Sequence, residues 1–361
     1  MKKFAVFCFA VIFGSCLYAQ EYYALVRMGK DWGFVDKKGS YVINPQYANA
    51  KSFSNGLARV LQFGSWGFID FKGTLVINPQ FEQAEDFSEG LARVKKFKQW
   101  GFVDKTGVFI INPQFDGADD FSGGMARVRK GFQWGIIDKK GTFLVNPQFD
   151  AIGEFHDGIA KALKGKQWGY IDKNGTWLVN PQFDNAEDFF GGYARVRKGF
   201  DWGFIDKTGT YVINPQFEAL GDFHGGLARA KKLKQWGYID KKGIWVINPQ
   251  FDIAEDFSGD YARVNKFKEW GYIDKTGSYI INPQFGEAFD FNEGMALVRK
   301  GTQWGFIDVK GVYVINPQFD GARDFENGLA RVRKGPKWGF IDKKGTIVIN
   351  MQFDNAEDFS Y

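Results

Sequence analysis

Apolar and polar residues alternate along this chain in short runs, a pattern that predicts β-strands rather than long helices. Residues 91–94, 100–104 and 108–112 form three runs of this kind, separated by turn residues. Asp104 and Gly107 stand at the first and fourth positions of the last turn, which favours a type I turn followed by a left-handed glycine. Pro113 lacks a backbone donor, so we expect it to end the third strand.

The same pattern returns every 34 residues without an insertion. An Asp follows each Trp-Gly pair four residues after the Trp, and a Gly follows seven residues after it. Asn-Pro-Gln begins twelve residues after the Trp in nine copies and reads Asn-Met-Gln in the tenth. Residues 20–361 therefore form one continuous domain of ten repeats, in which no linker is expected. The tryptophans are Trp32, Trp66, Trp100, Trp134, Trp168, Trp202, Trp236, Trp270, Trp304 and Trp338.

Each repeat predicts a three-stranded antiparallel meander with two apolar faces. On the middle strand the Trp and the aromatic residue two positions later share one face, while the Gly and the next aliphatic residue share the other. A small sheet of this kind must be covered on both sides, so we expect each unit to pack against its neighbours. The predicted fold is all-β: a tandem array of ten such repeats, elongated or superhelical. A closed β-propeller-like ring is the alternative, although propellers usually have about four to eight blades. The connector, residues 81–87 in one copy, is either a loop or one helical turn.

The N-terminus has the pattern of a secretory signal peptide. Lys2 and Lys3 precede ten apolar residues, 4–13, and small residues lead to Ala19. Ten residues are too few to span a bilayer, which needs about 20. We expect cleavage after residue 19, which removes both cysteines, and hence an exported protein that is periplasmic, at the cell surface or extracellular. The alternative is a lipoprotein anchored through Cys16. Neither reading leaves a transmembrane segment in the mature chain.

The repeated pattern W-G-F-[IV]-D-K-x-G-x-x-x-[IV]-N-P-Q-F resembles the bacterial WG-repeat family, also called KWG repeats. This resemblance implies a secreted or envelope-associated β-repeat protein. The chain is also loosely similar to the aromatic and glycine-rich cell-wall-binding repeats, whose family role is to hold choline or glycans. Those repeats are shorter and lack Asn-Pro-Gln.

Two sets of aromatic residues are candidates for ligand stacking. The ten tryptophans offer apolar ring faces to a sugar or a quaternary ammonium, but their presence in every repeat favours a structural core role. A second set lies nine residues after each Trp, where stacked units would line it into a ladder suited to a glycan. Leu75 and Ile347 at the same position favour packing instead. The candidate ligand-stacking residues are Tyr41, Phe109, Phe143, Trp177, Tyr211, Trp245, Tyr279 and Tyr313.

Charge is nearly balanced over the chain but segregated within each repeat. The 47 basic and 42 acidic residues give a net charge of +5, too small a surplus for a nucleic-acid partner to be expected. Basic residues such as Lys231 and Lys232 gather at turns, and acidic residues such as Glu85 and Asp86 gather in connectors. Aligned repeats would form stripes able to hold a polyanion, or the charges simply solvate and neutralise one another. An Arg seven residues before the Trp in seven repeats is expected to pair with a connector carboxylate.

The sequence offers little support for catalysis. His156 and His224 share one repeat position that Ser, Phe, Asn and Glu occupy elsewhere, as at a tolerant surface site. Zinc spacings, phosphate loops and nucleophile elbows are absent from the sequence, and we expect no catalytic residue, metal or cofactor. The predicted function is a secreted, non-catalytic scaffold that binds a protein partner, an envelope glycan or a polyanion. The alternatives are a carbohydrate- or peptidoglycan-binding module and, as an outsider, a hydrolase of envelope polymers using the Glu-Asp pairs.

Overall fold

The computed structural model describes residues 22–360, which contain forty β-strands and no helix. The signal peptide expected at residues 1–19 lies outside the described residues. The first twenty strands are β1 (Tyr23–Met28), β2 (Asp31–Val35), β3 (Tyr41–Tyr47), β4 (Asn49–Ala50), β5 (Ala58–Gln62), β6 (Ser65–Ile69), β7 (Leu75–Phe81), β8 (Gln83–Ser88), β9 (Leu91–Lys96), β10 (Gln99–Val103), β11 (Phe109–Phe115), β12 (Gly117–Ala118), β13 (Met125–Lys130), β14 (Gln133–Asp138), β15 (Phe143–Phe149), β16 (Ala151–Ile152), β17 (Ala160–Lys164), β18 (Gln167–Ile171), β19 (Trp177–Phe183) and β20 (Asn185–Ala186).

The second half of the chain continues the same succession. Its strands are β21 (Tyr193–Lys198), β22 (Asp201–Asp206), β23 (Tyr211–Phe217), β24 (Ala219–Leu220), β25 (Ala228–Lys232), β26 (Gln235–Ile239), β27 (Trp245–Phe251), β28 (Ile253–Ala254), β29 (Ala262–Lys266), β30 (Glu269–Ile273), β31 (Tyr279–Phe285), β32 (Glu287–Asn292), β33 (Met295–Lys300), β34 (Gln303–Ile307), β35 (Tyr313–Phe319), β36 (Gly321–Ala322), β37 (Leu329–Lys334), β38 (Lys337–Asp342), β39 (Ile347–Phe353) and β40 (Asn355–Ser360).

Each repeat contributes to a four-stranded antiparallel sheet, as in the order β12-β13-β14-β15. The connector supplies the first strand: Gly117 and Ala118 pair with Arg129 and Val128. The prediction of three strands per repeat is therefore wrong, and so are both interpretations of the connector. Pairing satisfies the backbone groups of the second strand, which would otherwise form an open edge.

The fourth strand of each sheet runs through the Asn-Pro-Gln segment. In β11 it continues to Phe115, so the expectation that Pro113 ends the strand is wrong. The β10–β11 register shifts at two places, and an edge strand tolerates a proline there because no ladder donor is needed. The close approach also explains the invariant glycine. A Cβ on Gly101 would lie 2.6 Å from the carbonyl oxygen of Ile111.

The predicted turn at residues 104–107, which lies between the third and fourth strands of the observed sheet, is confirmed. The Gly107 N–H donates to the Asp104 carbonyl at 2.9 Å, and Gly107 has φ = +86°. The Asp104 carboxylate accepts hydrogen bonds from the N–H groups of Thr106 and Val108 at 2.9 and 3.1 Å. The Thr106 hydroxyl also donates to this carboxylate and lowers the pKa of Asp104.

The two ends of the chain meet in one sheet, whose order is β3-β2-β1-β40. Tyr23 is in register with Ser360, and Arg27 with Asn355. The ten sheets thus form a closed ring, a ten-bladed β-propeller. The expected elongated or superhelical array is therefore not observed. The structure has the alternative form, a closed ring. The reason is that β40 supplies the strand that the first repeat lacks, which removes a free edge from each end of the row.

The hydrophobic core lies between the blades. One cluster joins one blade to the next through Met125, Ile136, Val145, Phe149, Ile152, Ala160, Ala162 and Ile171. The cluster at the junction of the two chain ends joins the last blade to the first through Phe340, Ile349, Phe353, Ala356, Phe359, Ala24, Val26 and Val35. Each unit therefore buries its two apolar faces against its neighbours, as the alternation predicted.

The blades approach one another most closely at their first strands, which therefore face the axis of the ring. The Ser52 hydroxyl donates to the Glu357 carboxylate at 2.7 Å, and the Ser88 hydroxyl to the Phe121 carbonyl at 2.6 Å. The ring has two faces. The tip face carries the hairpins between second and third strands and the links between blades. The turn face carries the Asp-to-Gly turns and the loops between first and second strands.

Candidate functional site

The ten tryptophans lie at the margins of the core. All are half-buried and each packs against one of the ten clusters between blades. Basic side chains lie over several of the rings: the Arg93 guanidinium carbon is 5.2 Å from the Trp100 ring centre, and that of Arg229 is 5.4 Å from Trp236. Cation–π contacts of this kind use the ring face that a ligand would need.

The eight candidate stacking residues are distributed around the ring, one to a blade. Each ring meets the terminal Phe of the preceding blade's fourth strand at an interplanar angle of 81–90° and a centroid distance of 5.4–6.4 Å. Trp177 against Phe149 is one such edge-on pair. Among residues 22–360 no two of the eight contact each other, so the structure does not bring them together as a ladder. The rings still keep part of their surface open; Tyr41 is 40% exposed.

Acidic residues in, or directly after, the first strands line the inner margin of the ring. Three sets of residues form what we call the axial rim. They are the residues 14 positions before each Trp, the acidic residues directly preceding these, and the basic residues seven positions before each Trp. The acidic members at the first position are Asp86, Asp120, Glu154, Asp188, Asp222, Asp256, Asp290 and Asp324, with Asp358 from the closing strand; Ser52 takes the tenth place. The basic members are Arg59, Arg93, Arg127, Lys161, Arg195, Arg229, Arg263 and Arg331.

The predicted pairing between the arginines and connector carboxylates is confirmed. Arg195 binds both carboxylate oxygens of Asp222 at 2.8 and 3.2 Å and donates to the Leu220 carbonyl at 2.7 Å. Arg59 binds Glu85 at 2.6 Å and Asp86 at 2.7 Å. In each case the second strand of one blade is joined to the first strand of the next. The rim is therefore a set of charge-assisted clamps between blades.

The clamp is looser at Arg127. Its guanidinium donates to the Ile152 carbonyl of the next blade at 2.8 Å, but it binds Asp119 of its own blade at 2.9 Å and comes only within 3.9 Å of Glu154 in the next blade. A cleft of about 370 Å³ opens here, lined by Asp120, Arg127 and Glu154 together with Ser88, Ser122, Met125 and Phe155. The Glu154 side chain is 70% exposed. Polar groups from three successive blades thus converge on one open cleft.

Burial changes the pKa of carboxylates in the axial rim. Burial raises the pKa of Asp120, although Arg93 opposes it. Burial also raises the pKa of Asp324, where the neighbouring charge of Asp290 acts in the same direction. The preceding blade has Leu297 at the clamp position, and Asp324 Oδ1 is a buried atom without a hydrogen-bond partner in the described part of the chain. Ionised carboxylates in such places attract cations more strongly than exposed ones.

The two histidines lie beside rim carboxylates. His156 Nε2 is 4.0 Å from Glu154, and His224 Nε2 is 3.8 Å from Asp256. Both side chains are partly exposed, at 47% and 35%. Among residues 22–360 no group of three or more His, Cys, Asp and Glu side chains is placed to hold a metal ion. The same residues contain no helix long and apolar enough to cross a membrane.

A protein-family model described as "WG containing repeat" matches the chain in ten successive segments. They are residues 32–62, 66–96, 100–131, 134–168, 168–199, 202–234, 236–266, 270–301, 304–338 and 338–361. The chain belongs to the WG-repeat family. The resemblance seen in the sequence is thereby confirmed, and each WG repeat corresponds to one period of the propeller.

Several solved structures align with this WG-repeat chain at low sequence identity. A crystal structure of the eukaryotic initiation factor aligns with a TM-score of 0.50 at 12% identity, covering 81% of this chain and 95% of that one. Citrobacter koseri AztD aligns at 0.37 and 13% identity, with 94% and 98% covered. Kluyveromyces lactis Hsv2p aligns at 0.39 and 9%, with 65% and 95% covered. At these identities the likeness concerns the fold alone. A comparison with curated proteins finds no match.

Sequence reasoning missed the cleft of the WG-repeat ring. The connector carboxylates were visible as charged pairs, but their convergence depends on first strands that the sequence did not predict. The available signal was the connector of the fifth blade, which reads Gly153-Glu154 where four other connectors read Glu-Asp. A Cβ on Gly153 would lie 2.5 Å from Lys161 Cγ, so the backbone passes too close there for a side chain.

Proposed function

We propose that this WG-repeat propeller is a non-catalytic interaction scaffold that binds a protein partner at the axial rim, in the cell envelope or outside the cell. The observation that carries the proposal is the cleft at Arg127, where the ion pair with the next blade is loose, at 3.9 Å, and the Glu154 side chain is 70% exposed. Most other rim carboxylates already bind an Arg or Lys of the adjacent blade, which supports a structural role for them.

The chemistry of the cleft favours a cationic group of the partner. Asp120, Asp119 and Glu154 outnumber Arg93 and Arg127 around it. A Lys or Arg side chain entering the cleft would meet carboxylate oxygens that its own charge keeps ionised, and charge-assisted hydrogen bonds are stronger than neutral ones. The partly buried Phe155 and buried Met125 offer apolar surface for the aliphatic stem of such a side chain.

A binding comparison tests this function. The purified chain and a D120N/E154Q variant are immobilised and exposed to detergent-solubilised envelope proteins of the producing cells, and retained proteins are identified by mass spectrometry. We expect a specific protein that the wild-type chain retains and the variant loses. The control is Glu269→Gln, an exposed carboxylate on the tip face. Equal retention by the D120N/E154Q variant would contradict binding at the rim.

Carbohydrate binding is the second candidate, because the aromatic rings nine residues after each Trp keep open surface. Tyr211 and Tyr279 are each 37% exposed. A Y211A/W245A/Y279A variant tests it in a peptidoglycan pull-down and on a glycan array. Retention that disappears in this variant would favour the sugar reading, and retention that does not change would reject it.

A further inference from the structure

Six of the ten hairpin tips carry a large apolar side chain that projects into solvent. Phe63, Phe97, Phe132, Phe200, Leu233 and Phe267 are between 78% and 94% exposed. Each stands in the two-residue turn between the second and third strands, between paired ends such as Lys96 and Gln99. All six therefore lie on the tip face. Isolated exposure of one apolar residue is ordinary, but the same exposure at six equivalent places of one face is not.

The local conformation is unfavourable for these residues. Phe63, Phe97, Leu233 and Phe267 have φ between +51° and +55°. Two-residue hairpin turns favour Asn and Gly at such positions because their backbones adopt positive φ easily, whereas bulky side chains do so rarely. These rings are nearly fully exposed, so burial within the chain does not offset the strain. These residues adopt an unfavourable backbone conformation without stabilising the fold, as residues that serve an external contact do.

The tips are held in place by their own backbone. The Phe267 N–H donates to the Asp252 carboxylate at 2.9 Å, and the Gly131 N–H beside Phe132 donates to Asp116 at 2.7 Å. These carboxylates belong to the links between blades on the same face. The apolar side chains are therefore presented in a fixed direction, away from the ring.

The tip face is positively charged. This face is formed by the five residues before each Trp and by the residue 16 positions after it. Together these positions contain 21 basic and 11 acidic residues. A lysine occurs four residues before the Trp in eight repeats. Several of these lysines donate to neutral carbonyls rather than to carboxylates: Lys198 to Gln182 at 2.7 Å and Lys300 to Gln284 at 2.6 Å. Their charge is thus left without a neutralising partner.

The turn face is different. Its turns and loops, four to eight residues after each Trp and ten to twelve before it, contain 14 basic and 15 acidic residues within residues 22–360. Its lysines are paired across blades, as in Lys207 with Asp157 at 3.0 Å and Lys139 with Glu89 at 3.1 Å. Its exposed aliphatic residues Val108, Ile244 and Val312 are 58–60% exposed, less than any of the six tips.

We propose that the tip face docks on a phospholipid bilayer that carries anionic headgroups, with the six apolar tips inserted at the interface. Separate apolar side chains set among lysines suit a membrane interface, where rings enter the headgroup region and lysines meet phosphates. A protein partner that bound these apolar side chains would favour a grouping of them into one centre with a polar margin, which the separate tips do not form. The turn face and its loops then point away from the membrane.

The apolar tips cover an arc of the ring rather than all of it. They occur in the second to fourth and the sixth to eighth blades, while the corresponding tips of the ninth, tenth and first blades are Gly301-Thr302, Gly335-Pro336 and Gly29-Lys30. The ring therefore inserts along this arc, which sets the direction in which it tilts on the bilayer.

Vesicle sedimentation of the full chain tests the proposal. The vesicles contain phosphatidylethanolamine with phosphatidylglycerol, and phosphatidylcholine vesicles are the uncharged comparison. The variant is F97N/F132S/F200S/F267N; Asn suits the two left-handed positions, so this variant is expected to fold as well as the wild type. The control is V108S/I244S/V312S, which removes exposed aliphatic residues of the turn face. Circular dichroism and thermal unfolding verify that both variants are folded.

We expect the wild-type chain to sediment with the anionic vesicles, less strongly at high salt, and not with phosphatidylcholine. The tip variant should bind at least about tenfold more weakly, and the turn-face variant as well as the wild type. Absence of sedimentation with anionic vesicles at low salt would overturn the proposal, as would unchanged binding by the folded tip variant. A soluble partner that requires the tips, in the absence of vesicle binding, would overturn it in favour of protein docking. The rim variant D120N/E154Q should bind vesicles normally, so this test is separate from that of the proposed function.

Discussion

The contacts between blades and the hairpin tips are built on opposite principles. Between blades, most recurring residues have a partner in the neighbour, in the core clusters, the edge-on aromatic pairs and the arginine clamps. At the tips, apolar side chains contact water and several lysines contact neutral carbonyls. Stability of a repeat fold is the sum of its interfaces between neighbours, so the tips are free to vary. The comparison indicates that the blade interfaces determine folding and that the tips are available for binding.

The same substitution at the two places separates them most clearly. Phe121 is 1% exposed and packs edge-on against Phe102 with ring centres 4.8 Å apart, whereas Phe132 of the same blade is 92% exposed. We expect Phe121→Ala to lower the free energy of unfolding by about 3–5 kcal/mol, because it removes buried surface and leaves a cavity. Phe132→Ala should change it by less than about 0.5 kcal/mol. Urea unfolding followed by fluorescence measures both, and equal effects would contradict the comparison.

A glycine at the blade interior should be the next most sensitive position. Gly101→Ala places a Cβ within 2.7 Å of the Pro113 nitrogen, a backbone atom that cannot move without disturbing the fourth strand. We expect a loss of about 2–3 kcal/mol in urea unfolding. The matched control is Gly286→Ala, whose Cβ would meet nothing closer than 3.7 Å and whose φ is not positive. If Gly101→Ala is as stable as the control, the close approach of strands is not a constraint.

The rim offers a pair of aspartates with opposite expected effects. Asp222→Asn breaks a bidentate pair with Arg195 and should destabilise the fold by about 1–3 kcal/mol. Asp324→Asn removes a partly buried charge that lacks a clamp, so it should raise the melting temperature at pH 7.

The pH dependence follows from the direction of the pKa shift. Because the folded-state pKa of Asp324 is raised, the folded protein binds its proton more tightly than the unfolded chain. Its contribution to stability is complete below the unfolded pKa and is lost as the pH rises through the raised folded pKa. The advantage of Asp324→Asn over the wild type should therefore disappear on acidification. Calorimetry across this range checks it, and a constant advantage would contradict the cause.

The smallest effect is expected at a strained tip. Phe97→Asn relieves a bulky residue at φ = +55° and loses no buried contact. We expect a gain of about 0.5 kcal/mol or no change. Thermal unfolding measures it against Lys166→Asn, a polar tip position that does not have a positive φ. A loss of stability would show that the ring has a contact within the fold.

The local and periodic features could be predicted from the sequence. The Trp-Gly strand, the Asp104–Gly107 turn, the packing of both faces on neighbours and the arginine clamps all depend on residue types at fixed spacing. The WG-repeat resemblance rested on the same spacing.

Features that depend on pairing between distant segments of the chain could not be predicted from the sequence. The first strands are as short as Gly117–Ala118, too short for an alternating pattern to show that they pair. Closure depends on the match between Tyr23 and Ser360, which no local pattern specifies. The tips were missed because the sequence placed Phe97 in a turn region of five residues, 95–99, among lysines; its place in a two-residue turn is visible only in the register.

Closure of the ring is the central claim, and a disulfide between the two chain ends tests it most directly. Arg27 and Asn355 face each other in the β1–β40 pair, and both are partly exposed. In a chain with Cys8 and Cys16 replaced by serine, R27C/N355C should form a disulfide within one molecule under mild oxidation, at a rate independent of protein concentration. Intact mass and mobility on a non-reducing gel report it. Failure to form the bond, or disulfides only between molecules, would contradict the closed ten-bladed ring.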